Sequence, residues 1–74
     1  MNDGRWSMLA GAIVGQAMKD YRLALKTLRR NPENRAAKYT KDEVEAFFMS
    51  RWYRDLTGID GNKLIQELQE EYLL

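Results

Sequence analysis

Apolar side chains recur at steps of three and four residues along the N-terminal part of this chain, without a proline to interrupt them. That spacing places them on one side of an α-helix. The stripe consists of Trp6, Leu9, Ile13, Ala17, Tyr21, Ala24 and Leu28. Asp3 is a suitable N-cap, and Asn31 should end the helix because it precedes Pro32. The sequence therefore predicts one long helix from Asp3 to about Arg30.

The middle of the chain predicts a second helix after a short connection. The polar stretch 32–38 favours a short helix or helical turn, with Pro32 at its first position. Thr40 and Glu43 have the spacing of a capping box, in which each side chain bonds the backbone N–H of the other residue. Gly58 suits the left-handed conformation that ends helices. We therefore expect a helix from Thr40 to Thr57.

The C-terminal part predicts a third helix, with Asp60 as its cap. The expected fold is thus all-α, a small three-helix bundle with one long N-terminal helix and two shorter ones. A chain of 74 residues is too short to divide its apolar residues between two cores, which predicts a single helical domain over residues 1–74. One core of this size contributes about 3–5 kcal/mol of net stability.

The composition limits how the fold can be stabilised and what it can catalyse. The chain has no cysteine and no histidine, which excludes a disulfide and the usual zinc sites. The same absences remove the common nucleophile and base pairs, and the acidic residues fall on predicted solvated helix faces. Asp60 precedes Gly61 and Asn62 as in part of a calcium loop, but the rest of that motif is lacking. We expect no enzyme activity, no cofactor, no metal and no small-molecule substrate.

No segment is expected to enter a membrane. The longest apolar run, from Trp6 to Val14, is shorter than the ~20 residues that a membrane span requires. It weakly imitates a signal peptide, but Asp3 stands where that signal would be positive, and the helical periodicity continues past the cleavage position. We expect a cytoplasmic protein whose stability comes from helix packing or from association, either with a partner or with copies of itself.

The charge is divided unevenly along the chain. Residues 1–38 carry eight basic and three acidic side chains, and residues 39–74 carry four and eight. Five of the basic residues follow helical spacing and line one side of the first helix: Lys19, Arg22, Lys26, Arg29 and Arg30. Such a stripe can neutralise nucleic-acid phosphates. It can equally be an ordinary solvated face that complements the acidic half of the fold.

Two glycines lie four residues apart in the first predicted helix, at Gly11 and Gly15. Each costs up to ~1 kcal/mol of helix propensity relative to alanine, which suggests that another helix approaches closely. We interpret the pair as a helix-packing site. The neighbouring helix can belong to the same chain or to another molecule.

An aromatic cluster with flanking arginines is the strongest indication of a binding surface. Trp52 and Tyr53 lie between Arg51 and Arg54, and tryptophan, tyrosine and arginine dominate the energetics of protein interfaces. The cluster predicts a protein-binding site made of these four residues. The alternative is that the rings form the partly exposed edge of the core.

Three stretches of the chain carry a family resemblance, which spans most of its length: residues 12–22, 47–52 and 56–65. Together they resemble small uncharacterised helical proteins encoded by phages and prophages of Gram-positive bacteria. The shared motifs are helix caps, core aromatics and a turn, and they transfer no functional residue. The resemblance implies an accessory protein of the host bacterial cytoplasm, of the kind that regulates phage genes or blocks a host machine. The near-neutral charge departs from the strongly acidic nucleic-acid mimics among such inhibitors.

These observations lead to one principal hypothesis and one alternative. The principal hypothesis is a non-enzymatic, phage-type accessory protein that binds a protein partner, for example to inhibit a host defence nuclease in the manner of an anti-CRISPR protein. The alternative is a small nucleic-acid-binding regulator that uses the basic face of the first helix.

Overall fold

A computed structural model describes the backbone of residues 4–73 and the side chains of residues 11–71. This part of the chain is all-helical and contains four helices instead of the three expected. They are α1 (Gly4–Arg30), α2 (Arg35–Phe48), α3 (Arg51–Thr57) and α4 (Gly61–Leu73). The long first helix and its end before Pro32 are confirmed. The proposed cap at Asp3 lies outside the described residues.

The second helix begins earlier than the sequence predicted. The Asn34 side chain accepts a hydrogen bond from the backbone N–H of Ala37 at 2.9 Å, which makes Asn34 the N-cap. The helix then continues through Thr40 without a break. The prediction of a separate turn at 32–38 and a new start at Thr40 was wrong, because an asparagine three residues ahead of Ala37 satisfies the first free N–H groups earlier in the chain.

The predicted helix 40–57 is divided in two by Ser50. Its hydroxyl donates to the Phe47 carbonyl oxygen at 2.6 Å and accepts from the Tyr53 backbone N–H at 3.1 Å. It therefore closes one helix and caps the next, in an extended backbone conformation. The end at Gly58 is confirmed, because this glycine adopts a φ of 69°.

The last helix begins in contact with the C-terminal end of α2. The Asp60 carboxylate accepts from the Asn62 backbone N–H at 3.0 Å, as expected for a capping residue. Directly after it, Gly61 lies so close to the Phe48 carbonyl that a Cβ there would overlap the oxygen and lie 2.7 Å from the carbonyl carbon. Only glycine allows this approach without a shift of the backbone.

The helices enclose one aromatic-rich core. Helices α1 and α2 are antiparallel, since residues 13–17 face residues 43–47 and residues 24–27 face residues 36–40. The buried cluster draws on all four helices and consists of Tyr21, Val44, Phe48, Tyr53 and Leu68. The Phe48 ring meets the Tyr53 ring nearly edge-on, with 5.3 Å between centroids, a favourable aromatic geometry. Helix α4 packs against both α1 and α2, and a groove lined by residues of α1 and α2 runs along the seam between these two helices.

Candidate functional site

The two adjacent aromatic residues of the predicted binding site differ sharply in exposure. Trp52 is 52% exposed, whereas Tyr53 is completely buried among Phe47 and Phe48. The structure therefore contradicts the assignment of Tyr53 as a surface contact. The physical reason is the cap at Ser50, which starts a new helix and sets which ring of α3 faces the core.

The two arginines beside these rings lie at the surface. Arg51 is in a loose pair with Asp55, with 3.9 Å between Nε and Oδ2 and a side chain that is almost fully exposed. Such a pair contributes little, so that Arg51 remains available to another molecule. Arg54 is also exposed, and it shares a shallow cleft with Met49, whose thioether side chain is 54% exposed. Arginine and methionine are both enriched at interfaces.

The Trp52 indole contacts a residue that lines an apolar groove. Its centroid lies 5.6 Å from that of Phe47. Phe47 in turn lines the groove between α1 and α2 together with Ile13, Ala17 and Val44. Ile13 is 41% exposed there. We call Trp52, Phe47, Ile13, Arg51 and Arg54 the aromatic end. Three of these side chains are apolar and exposed or half-exposed, and the two guanidinium groups belong to the helix that carries Trp52.

The groove extends along the α1–α2 seam to a second opening. Asp20 lines both parts. Beyond it, the groove is bordered by Leu23, which is 64% exposed, and is lined by Ala24, Ala36 and Ala37. The sequence-based reasoning did not identify this opening. Its signal is the set of small residues at helical spacing on two helices, which becomes visible only when their mutual register is known.

The basic face of α1 is partly engaged within the fold. Arg22 holds Glu71 of α4 through two hydrogen bonds of 3.0 and 3.2 Å. The hydrogen bond from Arg22 lowers the pKa of the Glu71 carboxyl below its ordinary value. The remaining members are exposed and make no ion pair with the described residues: Lys19, Lys26, Arg29 and Arg30.

The two glycines of α1 do not pack within the described part of the chain. A Cβ at Gly11 or Gly15 would meet no atom within 4 Å. The interpretation as an internal helix-packing site was therefore wrong, because no helix of the described fold crosses α1 at that face. A contact with another molecule remains the alternative.

A polar cluster ties α1, α2 and α4 together. Tyr21 Oη donates to Glu45 Oε2 at 2.6 Å, and Lys41 Nζ donates to the same oxygen at 2.7 Å. Gln69 Nε2 donates to Tyr21 Oη at 3.0 Å. Burial would raise the pKa of Glu45, but the bonds from Lys41 and Tyr21 outweigh it and hold that pKa below its ordinary value. Burial and the Glu45 carboxylate raise the pKa of Tyr21. Every member has a partner, which indicates that the cluster has a structural role and holds the three helices together.

The described residues contain no group of acidic side chains that could hold a metal ion. None of the helices in that part of the chain has both the length and the apolar character to cross a membrane. Comparisons with family models, curated proteins and solved structures found no match. The function is therefore inferred from the surface chemistry of the chain itself.

Proposed function

We propose that this chain acts without catalysis, by binding another protein at its aromatic end. The observation that carries the proposal is the half-exposed Trp52 indole, which lies on Phe47 beside an open apolar groove. An exposed tryptophan next to a groove offers a large apolar area with only two rotatable side-chain bonds. Interfaces concentrate their binding energy in such anchors.

The flanking charges fit an anchor with a polar rim. Arg51 and Arg54 extend from the same short helix as Trp52 and are exposed. A guanidinium group can bind a carboxylate with two parallel hydrogen bonds. The complementary surface is therefore an apolar patch bordered by acidic side chains. Given the resemblance to phage proteins, we propose a protein of the bacterial host as the partner, with inhibition of a defence nuclease as the most specific form of this function.

The test compares variants in capture from a lysate of the host bacterium. The immobilised chain should retain a defined set of proteins, quantified by mass spectrometry, and Trp52→Ala should deplete them. Loss of a hot-spot tryptophan weakens binding by about thirtyfold or more. Tyr39→Ala is the matched control, because Tyr39 is 66% exposed on α2 and lies outside the aromatic end.

Circular dichroism would establish that both variants are folded. If Trp52→Ala and the wild type capture the same proteins in the same amounts, the aromatic end is not the binding site. If Tyr39→Ala also loses them, the effect of Trp52→Ala is not specific.

A nucleic-acid-binding regulator is the second candidate function. The observation in its favour is that Lys19, Lys26, Arg29 and Arg30 are exposed and have no acidic partner among the described residues. Four phosphate contacts would give a slope of about −3.6 for log affinity against log salt concentration. Arg22 is less suited to this role, because its guanidinium group already holds Glu71.

A salt titration with generic duplex DNA separates the two candidates. Fluorescence anisotropy that detects no binding at low salt excludes the nucleic-acid function. Binding with a steep salt dependence, which survives Trp52→Ala and is lost in Lys26→Ala/Arg30→Ala, would instead contradict protein binding as the principal function.

A further inference from the structure

The chain around the turn between α1 and α2 is strongly basic. Residues 26–38 carry five basic side chains and a single acidic one, that of Glu33. All five basic side chains are exposed, and none is in an ion pair with a described residue: Lys26, Arg29, Arg30, Arg35 and Lys38. The next acidic residues along α2, Asp42 and Glu43, lie about one turn beyond the last of them. Positive charge is therefore concentrated at this end of the α1–α2 pair.

Two of these cations lie where a helix disfavours positive charge. Arg35 is the first residue of α2, and the backbone N–H of Lys38 closes the first turn by donating to the Asn34 carbonyl oxygen at 3.1 Å. The N-terminal end of a helix favours acidic side chains, yet the first turn of α2 contains none. Helix stability therefore does not account for the two cations. Together with Pro32 and Glu33 they line an open cleft of about 530 Å³.

An exposed tyrosine lies next to these two cations. Tyr39 follows Lys38 directly and comes one turn after Arg35, so that Tyr39 and Arg35 share the face of α2 opposite to its buried residues. Tyr39 is 66% exposed, and no described aromatic ring packs against it. The Glu43 carboxylate accepts a hydrogen bond from the Tyr39 hydroxyl, which raises the pKa of Tyr39. The ring is thus held at its polar end, while most of the side chain is open to solvent.

An open ring beside unpaired cations suits a single-stranded nucleic acid. Every base has a π-face that stacks on an aromatic side chain, and the bases of a single strand are free to do so, whereas those of a duplex stack on each other. Cations beside the ring bind the phosphates. The Trp52 indole is less suited to this role, because it already contacts Phe47 at the border of an apolar groove.

We propose that the start of α2 binds single-stranded nucleic acid. An unpaired base stacks on Tyr39, and Arg35 and Lys38 bind the neighbouring phosphates. The strand continues from Tyr39 toward the turn, because the acidic residues that follow Tyr39 on α2 repel phosphates in the other direction. The site depends neither on protein binding at the aromatic end nor on duplex binding by the basic face of α1, so that each can fail without the others.

Fluorescence anisotropy at low salt with a labelled oligothymidylate of about 12 nucleotides tests the proposal; this length lies within the range that small single-strand-binding domains cover. Tyr39→Ala should weaken binding by about five- to 150-fold, as expected for the loss of a stacked aromatic side chain. Tyr39→Phe keeps the ring and should bind like the wild type. Trp52→Ala is the matched control, because it removes another exposed ring outside the proposed site, and it should also bind like the wild type.

The salt dependence tests the two cations. Each phosphate contact of a single strand contributes about 0.7 to the slope of log affinity against log salt concentration. The double variant Arg35→Ala/Lys38→Ala should therefore reduce the magnitude of the slope by about 1.4. A double variant with the slope of the wild type would contradict the assignment of these cations. Circular dichroism would verify the helical content of each variant.

A duplex of the same length and a polyglutamate peptide are the comparison ligands. Both should bind more weakly than the oligothymidylate, since the bases of the duplex are already stacked and the peptide has none. A wild type that does not bind the oligothymidylate at low salt overturns the proposal. A folded Tyr39→Ala variant that binds as tightly as the wild type, or a comparison ligand that binds equally well, overturns it too. Loss of binding in Trp52→Ala would assign the strand to the aromatic end and would likewise overturn the proposal.

Discussion

The glycines of this chain allow one substitution to be tested in two opposite environments. Alanine is the better helix former, and on propensity alone each Gly→Ala change within a helix should stabilise the protein by up to ~1 kcal/mol. At Gly61 the structure predicts the reverse. The new Cβ would overlap the Phe48 carbonyl oxygen and lie 2.7 Å from the carbonyl carbon, where ordinary contacts begin at 3.4 Å.

The size of the effect follows from what the methyl group meets. A carbonyl of α2 cannot rotate away as a side chain can, and therefore α4 would have to move outward as a body. That movement loosens the packing of Leu64 and Leu68 against the core. Overpacking costs about 1–3 kcal/mol, and a rigid obstacle places this case at the upper end. Set against the gain in propensity, Gly61→Ala should lower the free energy of unfolding by about 2 kcal/mol.

Urea denaturation followed by circular dichroism would measure this change, with thermal unfolding as a second readout. A loss of about 2 kcal/mol corresponds to a melting temperature lower by about 8–16 °C in a domain of this size. Gly15→Ala is the matched control, because its Cβ meets nothing within 4 Å, and it should raise the melting temperature by about 4–8 °C. A Gly61→Ala variant as stable as the wild type would refute the packing of α4 on Phe48.

Three further changes test the interior and the helix caps by the same denaturation assay. Tyr53→Phe should stabilise the protein by about 1 kcal/mol, since the buried Tyr53 hydroxyl has no hydrogen-bond partner in the described structure; a loss of stability would point to a partner for that hydroxyl. Ser50→Ala should cost about 1 kcal/mol, because α3 loses its N-cap; an unchanged stability would argue against that cap. The pKa of the Glu45 carboxyl is lower in the folded protein than in the unfolded chain, so its ionised form stabilises the fold at pH values above the unfolded pKa, and this stability is lost as the pH falls through the folded pKa. Glu45→Gln should therefore weaken the dependence of stability on acidic pH. An unaltered pH profile would contradict the structural role of this polar cluster.

The helix ends were predictable wherever one residue strongly restricts the backbone. Pro32, Gly58 and Asp60 each mark a boundary that the structure confirms. The start of α2 was not predictable in this way, because Asn34 and Thr40 are both good caps and the sequence does not rank them. The earlier one prevails since nothing between the two residues interrupts the helix.

The candidate site was predictable in composition but not in orientation. The exposure of Trp52, Arg51 and Arg54 agrees with the surface that the cluster indicated. The burial of Tyr53 depends on the break at Ser50, which periodicity does not reveal because serine is also tolerated inside helices. The alanine-lined recess was missed for a related reason, since it exists only where two helices meet in a specific register.

The attachment of α3 links the outer surface of the protein to its interior. A helix of seven residues cannot persist alone in water, and α3 is held to the core by the buried ring of Tyr53 and by the contact of Trp52 with Phe47. A molecule that binds the Trp52 indole would also restrict the motion of α3. The backbone amides of α3 should then exchange with deuterium more slowly. The exchange rate of these amides would therefore show whether the surface at Trp52 is bound, even before the bound molecule has been identified.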